Sequence, residues 1–398
     1  MESVLTEPRL GFYTNTYLKR SEVFFHRQAR GMQNATVSVF AEWGTNLPDF
    51  PIDDLHLVNE TRRWLPRARM ALARRLEGTQ APKHHLADYA ARRIAKELDR
   101  REIDLIYCIF AWNAMQAVDV LDRMKRPVPL VWLAGGSDIN AATSFGDAYE
   151  RRLLEACDRA ALVLAGSEFL RQRVLALGVP PQKVERHYIG IDIPECVLPR
   201  PAGRDELRLL AVSRLVPVKG VPHTLRAFAR VVESLPEAKL EIIGDGPDRT
   251  TCIALAVDLG IAERVTFHGG RTIDEVYAAM ARSDIFVQHN VRSAQGHEES
   301  ISGTMLEASA HGLPVVVTRS GGNSEGMTHG GTGFLVEPGD EAGMANAILA
   351  LAQDPDLRTR MGLAGRDRMM RDFDVKSQNA KLETMLTETA IGHDPNPQ

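Results

Sequence analysis

Short apolar runs alternate with longer amphipathic stretches along most of the chain. Leu105–Phe110 and Lys239–Ile243 are rich in strand-forming residues, whereas Pro222–Ser234 repeats its apolar residues with the spacing of one helix face. Strands that alternate with helices in this way are typical of βαβ units, in which helices cover both faces of a parallel sheet. Because the alternation occurs twice, the pattern predicts an α/β protein with two doubly wound domains.

Each half of the chain has five predicted strands. Those of the first half are Arg9–Tyr13, Thr36–Phe40, Leu105–Phe110, Val128–Leu133 and Ala161–Ala165, and those of the second are Arg208–Val212, Lys239–Ile243, Arg264–Phe267, Asp284–Gln288 and Pro314–Thr318. Helices are predicted at Ser21–Met32, His85–Arg100, Ala114–Arg126, Phe145–Asp158, Glu168–Leu177, Pro222–Ser234, Asp248–Leu259, Ile273–Ala281 and Gly303–His311. From Glu341 onward the pattern is almost entirely helical.

Prolines interrupt the pattern between the two halves. The ten residues Pro194–Gly203 contain three prolines and a glycine, a composition that suits a linker. We therefore expect an N-terminal domain over residues 1–203 and a C-terminal domain over 204–375. A closing helix and a frayed tail are expected over 376–398.

The composition is that of a folded protein without a membrane span. The chain has 398 residues, 44% of them hydrophobic and 25% charged. Its longest apolar runs are far shorter than the ~20 residues of a spanning helix, and its acidic N-terminus does not resemble a secretory signal. Four scattered cysteines read as reduced thiols, so a cytoplasmic location is expected. No His or Cys spacing indicates a metal site.

Charge is unevenly spread along the chain. The formal net charge is −4, yet a basic block lies in the first half, where Trp64 and several apolar residues interleave with arginines. Its arginines are Arg62, Arg63, Arg67, Arg69, Arg74 and Arg75. Such a block suits either a surface helix that contacts anionic lipid or a solvated helix face, and both interpretations stay open. Nucleic acid is not an expected partner, because the chain is slightly acidic and has no nucleic-acid motif.

One segment of the second half combines acidic residues with a helix start. Glu299 stands in a loop, a helix begins near Ser302 and Gly303, and Glu307 follows about one turn later. The free amides at a helix N-terminus bind phosphate, and small residues there let a diphosphate approach. Glu307 is placed to accept hydrogen bonds from ribose hydroxyls, although a solvated helix residue would look the same.

Two further segments point to the same chemistry. Arg214 and Lys219 follow the strand Arg208–Val212, where two cations could neutralise a diphosphate or could simply be surface residues. Gly244 opens a glycine turn after the strand Lys239–Ile243, a weaker indication by itself.

In their order and spacing these segments resemble the retaining glycosyltransferases of family four. The resemblance runs over residues 207–375. It rests on Ser213-Arg214 with Lys219-Gly220, Gly244-Asp245-Gly246-Pro247, Val265–Gly269, the Glu299–Glu307 pair, Gly312–Val316, Gly321-Gly322 with Glu325, and Gly333–Val336. Residues Thr14–Phe25 and Arg186–Asp192 are similar, more loosely, to the subgroup that builds bacterial exopolysaccharide and glycolipid. The resemblance implies the GT-B fold, in which two Rossmann-like domains face a central cleft and a last helix packs back on the first domain.

The resemblance also implies roles for individual residues. Glu299, Arg214, Lys219 and Asp138 would form the catalytic set. The donor, a UDP- or GDP-linked hexose, would be bound by Arg214, Lys219, Gly244, Arg271, Ser302, Gly303, Thr304 and Glu307, with Glu307 on the ribose and Arg271 near the base. The acceptor would contact Thr16, Tyr17, Trp112 and Asp138, although Trp112 could equally be a core residue. Front-face transfer without a metal or other cofactor is implied.

One position departs from the family pattern, and it leaves alternatives open. Where the family usually has a histidine that contacts the donor sugar, this chain has Gly135. A protein that binds sugar nucleotides without turnover is therefore an alternative, as is an epimerase of the same fold. A phosphorylase or a nicotinamide dehydrogenase would need motifs that are not visible. The expected acceptor is a lipid-linked saccharide or a glycerolipid at the inner face of the plasma membrane.

Overall fold

The computed structural model describes residues 7–18, 22–59, 84–140, 142–197, 206–294 and 296–393. The chain divides into two compact units, the first over residues 1–166, 171–188 and 376–398 and the second over residues 167–170 and 189–375. Three of the predictions concern residues outside the described ranges: the domain boundary near residue 203, the basic block at 62–75 and the frayed end at 394–397.

A seven-stranded parallel sheet forms the centre of the first unit, with strand order β3-β2-β1-β4-β5-β6-β7. Its strands are β1 Arg9–Tyr17, β2 Thr36–Gly44, β3 Leu55–Leu57, β4 Leu105–Ile109, β5 Leu130–Ala134, β6 Ala160–Ala165 and β7 Val184–Arg186. The central strands β4 and β5 are buried along their whole length, because helices cover both faces of the sheet. Strand order reverses between β1 and β4, and in doubly wound folds ligands bind at such a point.

The second unit is built around six parallel strands in the order β10-β9-β8-β11-β12-β13. These strands are β8 Arg208–Val212, β9 Lys239–Ile243, β10 Val265–Gly269, β11 Ile285–Gln288, β12 Val315–Thr318 and β13 Gly333–Val336. Apolar residues of these strands and of the flanking helices form one core, which includes Leu209, Leu225, Phe228, Leu240, Ile285 and Ile348. Here the strand order reverses between β8 and β11.

Helices connect the strands in both units. In the first half they are α1 Val23–Gly31, α2 Asp88–Arg100, α3 Ala111–Leu121, α4 Ser137–Asn140, α5 Asp147–Arg159 and α6 Glu168–Ala176. The others are α7 Val221–Ser234, α8 Arg249–Asp258, α9 Ile273–Arg282, α10 Gly303–Ala310, α11 Asn323–Gly326, α12 Glu341–Gln353, α13 Pro355–Asp372 and α14 Val375–Ile391. None of the described helices combines the length and the apolar character that a membrane span requires.

Side chains of the last helix make hydrogen bonds within the first unit. The Glu383 carboxylate accepts hydrogen bonds from the backbone amides of Gln33 and Asn34, at 2.7 and 2.5 Å. The Asn379 amide donates to the Arg27 carbonyl at 3.0 Å, and Gly31 leaves the space that Asn379 fills. These contacts join α14 to the end of α1.

The ten predicted strands are confirmed, and three further strands were not predicted. The additional strands β3, β7 and β13 are three or four residues long and lie at sheet edges. Strands β3 and β7 include polar residues, so they lack the continuous apolar run that marks a central strand, whereas β13 is apolar but only four residues long. Helix α3 begins at Ala111 rather than at Ala114, which moves Trp112 from a loop into the first helical turn.

Candidate functional site

A tight turn after β8 carries Lys219 to the point where strand order reverses. Residues Pro217–Lys219 form a single 3₁₀ turn, and Gly220 follows with φ 55°. A Cβ atom on Gly220 would lie 1.8 Å from the carbonyl oxygen of His289, just after β11. Only glycine fits both the left-handed backbone and this close approach, and the turn is therefore fixed against the neighbouring strand end.

Lys219 and Glu299 form an ion pair at this edge of the sheet. The Lys219 Nζ lies 2.6 Å from the Glu299 Oε2, and the two side chains are 11% and 23% exposed. Because an ammonium group has three donors, Lys219 can hold the carboxylate and still donate to a ligand. The structure thus brings together two of the predicted catalytic residues.

Arg214 adds a second positive charge to the same loop. Its side chain is exposed and has no ion-pair partner within the described ranges. The pKa of His297, in the loop that precedes α10, is lowered by burial and then by the positive charge of Arg214. The Arg214 guanidinium therefore lies near this loop. No group of three or more His, Cys, Asp or Glu that could hold a metal ion occurs among the described residues.

The N-terminus of α10 presents backbone amides that no side chain caps. The Ser302 hydroxyl donates to the Gln288 Oε1 at 2.6 Å, and the Thr304 hydroxyl donates to the Val212 carbonyl at 2.9 Å. Both hydroxyls therefore fix the helix to the ends of β11 and β8, and the helix has no side-chain cap. A Cβ atom built on Gly303 would meet nothing within 4 Å. Uncapped first-turn amides beside open space can bind an anion.

The remaining predicted residues of the second unit differ in their exposure. Glu307 is half-buried in α10, and its backbone carbonyl accepts a hydrogen bond from the His311 Nδ1 at 2.8 Å. Arg271 is exposed before α9 and lies 3.6 Å from Glu275. Gly244 has φ 137°, and a Cβ atom there would lie 1.8 Å from the Ser213 carbonyl oxygen. Since its amide already donates to the Gly269 carbonyl, Gly244 shapes the site through the backbone.

Asp138 and Tyr17, both predicted to contact an acceptor, are buried in the first unit. The Asp138 carboxylate is fully buried and accepts hydrogen bonds from the amides of Ala111, Gly135 and Gly136. Burial raises its pKa, and these amides oppose the shift. Tyr17 is also fully buried, with its hydroxyl 2.7 Å from the His26 Nδ1. Both side chains therefore stabilise the carboxyl edge of the sheet through buried hydrogen bonds, and neither presents a polar group at the surface.

Thr16 and Trp112 are the accessible members of the predicted acceptor set. Thr16 is half-buried, and its hydroxyl donates to the Asn15 Oδ1 at 3.2 Å. Trp112 is half-buried and stacks on Phe110, with the ring centroids 4.6 Å apart. These two residues belong to the first unit, whereas the residues of the predicted donor set belong to the second.

The structure gives a physical reason for Gly135. A Cβ atom at this position would lie 2.1 Å from the Cε1 atom of Phe110. The ring of Phe110 therefore takes the place next to residue 135, and no larger side chain fits there while the ring keeps its position.

Comparison with known families decides to which family the chain belongs. Residues 200–368 match the model of glycosyl transferases group 1, and residues 21–195 match the model of Glycosyltransferase Family 4. The chain belongs to glycosyltransferase family 4.

Curated family members share part of their sequence with this chain. A GDP-mannose-dependent alpha-(1-6)-phosphatidylinositol monomannoside mannosyltransferase of Mycolicibacterium smegmatis is 32% identical over 56% of this chain and 60% of its own length. The N-acetyl-alpha-D-glucosaminyl L-malate synthase of Bacillus anthracis is 28% identical over 77% of this chain and 80% of its own length. The match therefore spans about three fifths of the mannosyltransferase and most of the synthase.

A solved structure shows the same fold. Anabaena Alr3699/HepE in complex with UDP and glucose has a TM-score of 0.74 and 20% identity, and the match covers 95% of this chain and 99% of that one. The predicted α/β fold with two Rossmann-like domains, of the GT-B type, is confirmed.

In this family 4 glycosyltransferase, the position of Glu299 depends on residues to which the sequence alone assigned no role. Gly321 has φ 57°, and a Cβ atom there would lie 1.7 Å from the Glu299 carbonyl oxygen. The Asn323 side chain accepts a hydrogen bond from the Ser302 amide at 3.0 Å and donates to the Asn290 Oδ1 at 3.1 Å. The pair Gly321-Gly322 was part of the resemblance, but only the fold reveals what it packs against.

Acid should destabilise this glycosyltransferase through His289, which is fully buried at the end of β11. Burial, and after it the neighbouring His223, lower its pKa to about 4, while Asp340 opposes the shift. The unfolded chain takes up this proton near pH 6.5 and the folded chain only near pH 4, so stability is lost as the pH falls between these values. We expect a loss of up to about 3 kcal/mol from this group. Urea unfolding between pH 7 and 4.5 measures it.

A substitution isolates the contribution of His289. In His289→Asn the dependence of the unfolding free energy on pH should be shallower than in the unmodified chain, by the equivalent of up to one proton. An equally steep dependence in His289→Asn would show that the buried imidazole does not contribute.

Proposed function

We propose that this family 4 glycosyltransferase moves a hexose from a UDP- or GDP-linked donor to an acceptor hydroxyl, with retention of the anomeric configuration and without a metal ion. The observation that carries the proposal is the positive site at the reversal point of the second sheet. There Lys219, exposed Arg214 and the uncapped first-turn amides of α10 come together beside open space at Gly303. Cations and amides in this arrangement suit a diphosphate.

The donor class is supported by relatives as well as by the site. The Mycolicibacterium smegmatis relative is GDP-mannose-dependent, and the Anabaena structure contains UDP. In the proposed complex Lys219 and Arg214 hold the diphosphate from one side, and the amides of Gly303 and Thr304 hold it from the other. Glu307 accepts hydrogen bonds from the ribose, Arg271 lies near the base, and Glu299 lies near the transferred sugar.

The proposed reaction is a front-face substitution at the anomeric carbon. The bond between this carbon and the diphosphate oxygen breaks, and the acceptor oxygen forms a bond on the same face. The acceptor proton passes to the departing diphosphate. The negative charge that grows on the departing diphosphate is stabilised by Lys219, Arg214 and the α10 amides. Stabilisation by such preorganised groups is usually the largest single contribution to catalysis. A carboxylate nucleophile is not needed, and Glu299 is already held 2.6 Å from Lys219.

For the acceptor we propose a lipid-linked saccharide or a glycerolipid. The Mycolicibacterium smegmatis relative is named for a phosphatidylinositol monomannoside acceptor. Contact with an anionic membrane surface and a cytoplasmic location stay predictions, because the basic block at residues 62–75 lies outside the described part of the chain.

The function is tested by donor binding and by the configuration of the product. A ligand that binds only the folded chain raises its melting temperature, so UDP or GDP at a hundred times its Kd should raise Tm by several degrees, with or without EDTA. With the matching α-linked sugar nucleotide and a saccharide acceptor, NMR should show an α-linked product.

Each part of the proposal has its own contrary result. No shift with any nucleoside diphosphate would contradict the donor site, and a β-linked product would contradict retention. Turnover that EDTA abolishes would contradict the metal-independent mechanism. Binding without turnover on any acceptor would favour the alternative, a sugar-nucleotide-binding protein.

A further inference from the structure

Two buried asparagines lie between the two walls of the proposed diphosphate site. One wall is the turn that carries Lys219, and the other is the start of α10. Asn290 stands two residues after the end of β11, and Asn323 is the first residue of α11. Both asparagines are 0% exposed, so neither side chain can be satisfied by bulk water.

Hydrogen bonds join the two asparagines into a chain that runs from one wall to the other. The Ser302 amide, at the start of α10, donates to the Asn323 Oδ1 at 3.0 Å, and the Asn323 Nδ2 donates to the Asn290 Oδ1 at 3.1 Å. The Asn290 Nδ2 donates to the Val218 carbonyl at 3.5 Å, in the turn that carries Lys219. We call Asn290 and Asn323 the asparagine bridge.

The direction of this chain is fixed by the backbone groups at its two ends. A backbone N–H can only donate, so the Asn323 oxygen must face Ser302 and the Asn323 NH2 group must face Asn290. A backbone carbonyl can only accept, so the Asn290 NH2 group must face Val218. An aspartate would lack the donor at either position, and an aliphatic residue would lack both groups. Asparagine is therefore needed at both positions to complete the chain.

Both asparagines are also held against the sheet. The Thr318 hydroxyl, at the end of β12, donates to the Asn290 carbonyl at 2.6 Å, and the Asn323 Nδ2 donates to the Thr318 carbonyl at 3.4 Å. The amide of Val291 donates to the Val218 carbonyl at 3.0 Å, beside the weaker bond from Asn290. Because these bonds leave the buried pair little freedom, it can fix the spacing of the groups at its two ends.

The asparagine bridge decides which amides of α10 are left for a ligand. The amide of Ser302 is used by Asn323, and the first amides of the helix itself are those of Gly303 and Thr304. These two are the amides that face the diphosphate in the proposed complex, opposite Lys219. The bridge thus connects the two groups of donors without occupying either of them.

We propose that the asparagine bridge sets the distance between Lys219 and the first amides of α10, and so positions both walls for the departing diphosphate. Asn290 and Asn323 are positioning residues here, because neither touches the reacting atoms. A nucleoside diphosphate that has left its sugar carries more negative charge than the sugar nucleotide, so it depends more on simultaneous contact with both walls. The inference rests on the proposed function, since the diphosphate belongs to the proposed donor.

The test compares nucleotide binding and turnover in Asn323→Ala. We expect kcat to fall about thirtyfold and the Kd for UDP or GDP, whichever the unmodified chain binds, to rise about tenfold. The KM for the sugar nucleotide should change by less than about threefold, because the ground state carries less charge on the diphosphate. Calorimetry gives the number of nucleotide sites per chain together with Kd, so unfolded protein is not mistaken for a lower kcat.

A second variant keeps the test valid if Asn323→Ala folds poorly. Asn290→Ala breaks the bridge and leaves the hydrogen bond between Ser302 and Asn323 in place, so it should show the same difference between kcat and KM. Where both single variants fold, the double variant should lose no more activity than the more affected single one, because both substitutions break one chain.

Asn379→Ala is the matched control. Asn379 is also buried, at 6% exposed, and its side chain donates to the Arg27 carbonyl at 3.0 Å within the first unit. Its loss should lower Tm and leave kcat and the nucleotide Kd unchanged, as expected for a residue that only stabilises the fold.

The outcomes separate the asparagine bridge from the proposed function. If the unmodified chain binds neither UDP nor GDP, the proposed donor site fails and the role of the bridge fails with it. If it binds one of them and both single variants match it in kcat and Kd, the bridge alone is refuted. A rise in KM with kcat unchanged would also overturn the bridge, because the loss would then lie in the ground state. If a nucleotide binds without turnover, the Kd values of the variants still decide.

Discussion

Replacing Lys219 with alanine is expected to lower kcat/KM for the sugar nucleotide by about a thousandfold. The ammonium group is the most deeply held positive charge of the site, 11% exposed and placed by a turn that only glycine can close. Its loss removes stabilisation of the departing diphosphate and also leaves the carboxylate of Glu299 without its partner. Steady-state kinetics with the nucleotide found by the binding screen measures the effect.

Two further variants separate these consequences. The double variant Lys219→Ala with Glu299→Gln no longer has an unpaired carboxylate. Any activity it has above that of Lys219→Ala measures the part of the loss that comes from the unpaired charge of Glu299. Lys239→Ala is the matched control, because Lys239 begins β9 and so lies at the opposite edge of the same parallel sheet. A decrease of less than tenfold in Lys219→Ala, with folding unchanged, would contradict a direct role in binding the diphosphate.

The order of strands and helices could be predicted because buried parallel strands are apolar along their whole length. Strands β4 and β5 show this pattern, and so do the three valines that begin β12 in the second unit. Strand β7 has one buried residue and two exposed ones, so nothing in its sequence distinguishes it from a loop. Its pairing with β6 is decided by the tertiary structure.

The donor site could be predicted to the extent that it depends on local chemistry. In doubly wound folds, a cation after a strand or a small residue at a helix start indicates a site for phosphate groups. Lys219 and Gly303 occupy such positions. The ion pair between Lys219 and Glu299 joins residues eighty positions apart. Only the fold brings these two residues together.

The site residues of the first unit are less predictable from sequence, because a polar side chain in a loop can bind backbone amides instead of a ligand. Asp138 is an acidic residue of the kind that often binds a ligand, yet its carboxylate accepts hydrogen bonds from three backbone amides. The sequence predicts Phe110 as the last residue of a strand, whereas its contact with Gly135 depends on how the ends of two strands pack together. The local sequence predicts neither of these contacts.

Replacing Gly303 with valine is expected to weaken nucleotide binding strongly while leaving the fold intact. A Cβ atom at this position meets nothing within 4 Å, so the larger side chain should change the unfolding free energy by no more than about 0.5 kcal/mol. The same open space is where we propose that the diphosphate approaches the first-turn amides of α10. Valine would hold the phosphate oxygens away from them, and we expect Kd for the nucleoside diphosphate to rise about a hundredfold.

A size series at this position gives the sharpest form of the test. Alanine should weaken binding less than valine, and the melting temperature of the free chain should stay constant through the series. Alanine substitutions at two other glycines serve as comparisons for stability and for nucleotide binding. Gly244→Ala should unfold the chain more readily, because its Cβ would lie 1.8 Å from a backbone carbonyl oxygen at φ 137°. Gly365→Ala, in the interior of α13 with its nearest neighbour at 3.6 Å, should leave nucleotide binding unchanged and raise the unfolding free energy by up to about 1 kcal/mol. Nucleotide binding that is as tight in Gly303→Val as in the unmodified chain would mean that the diphosphate does not approach the start of α10, and the anion site would then have to be sought at Arg214 and Lys219 alone.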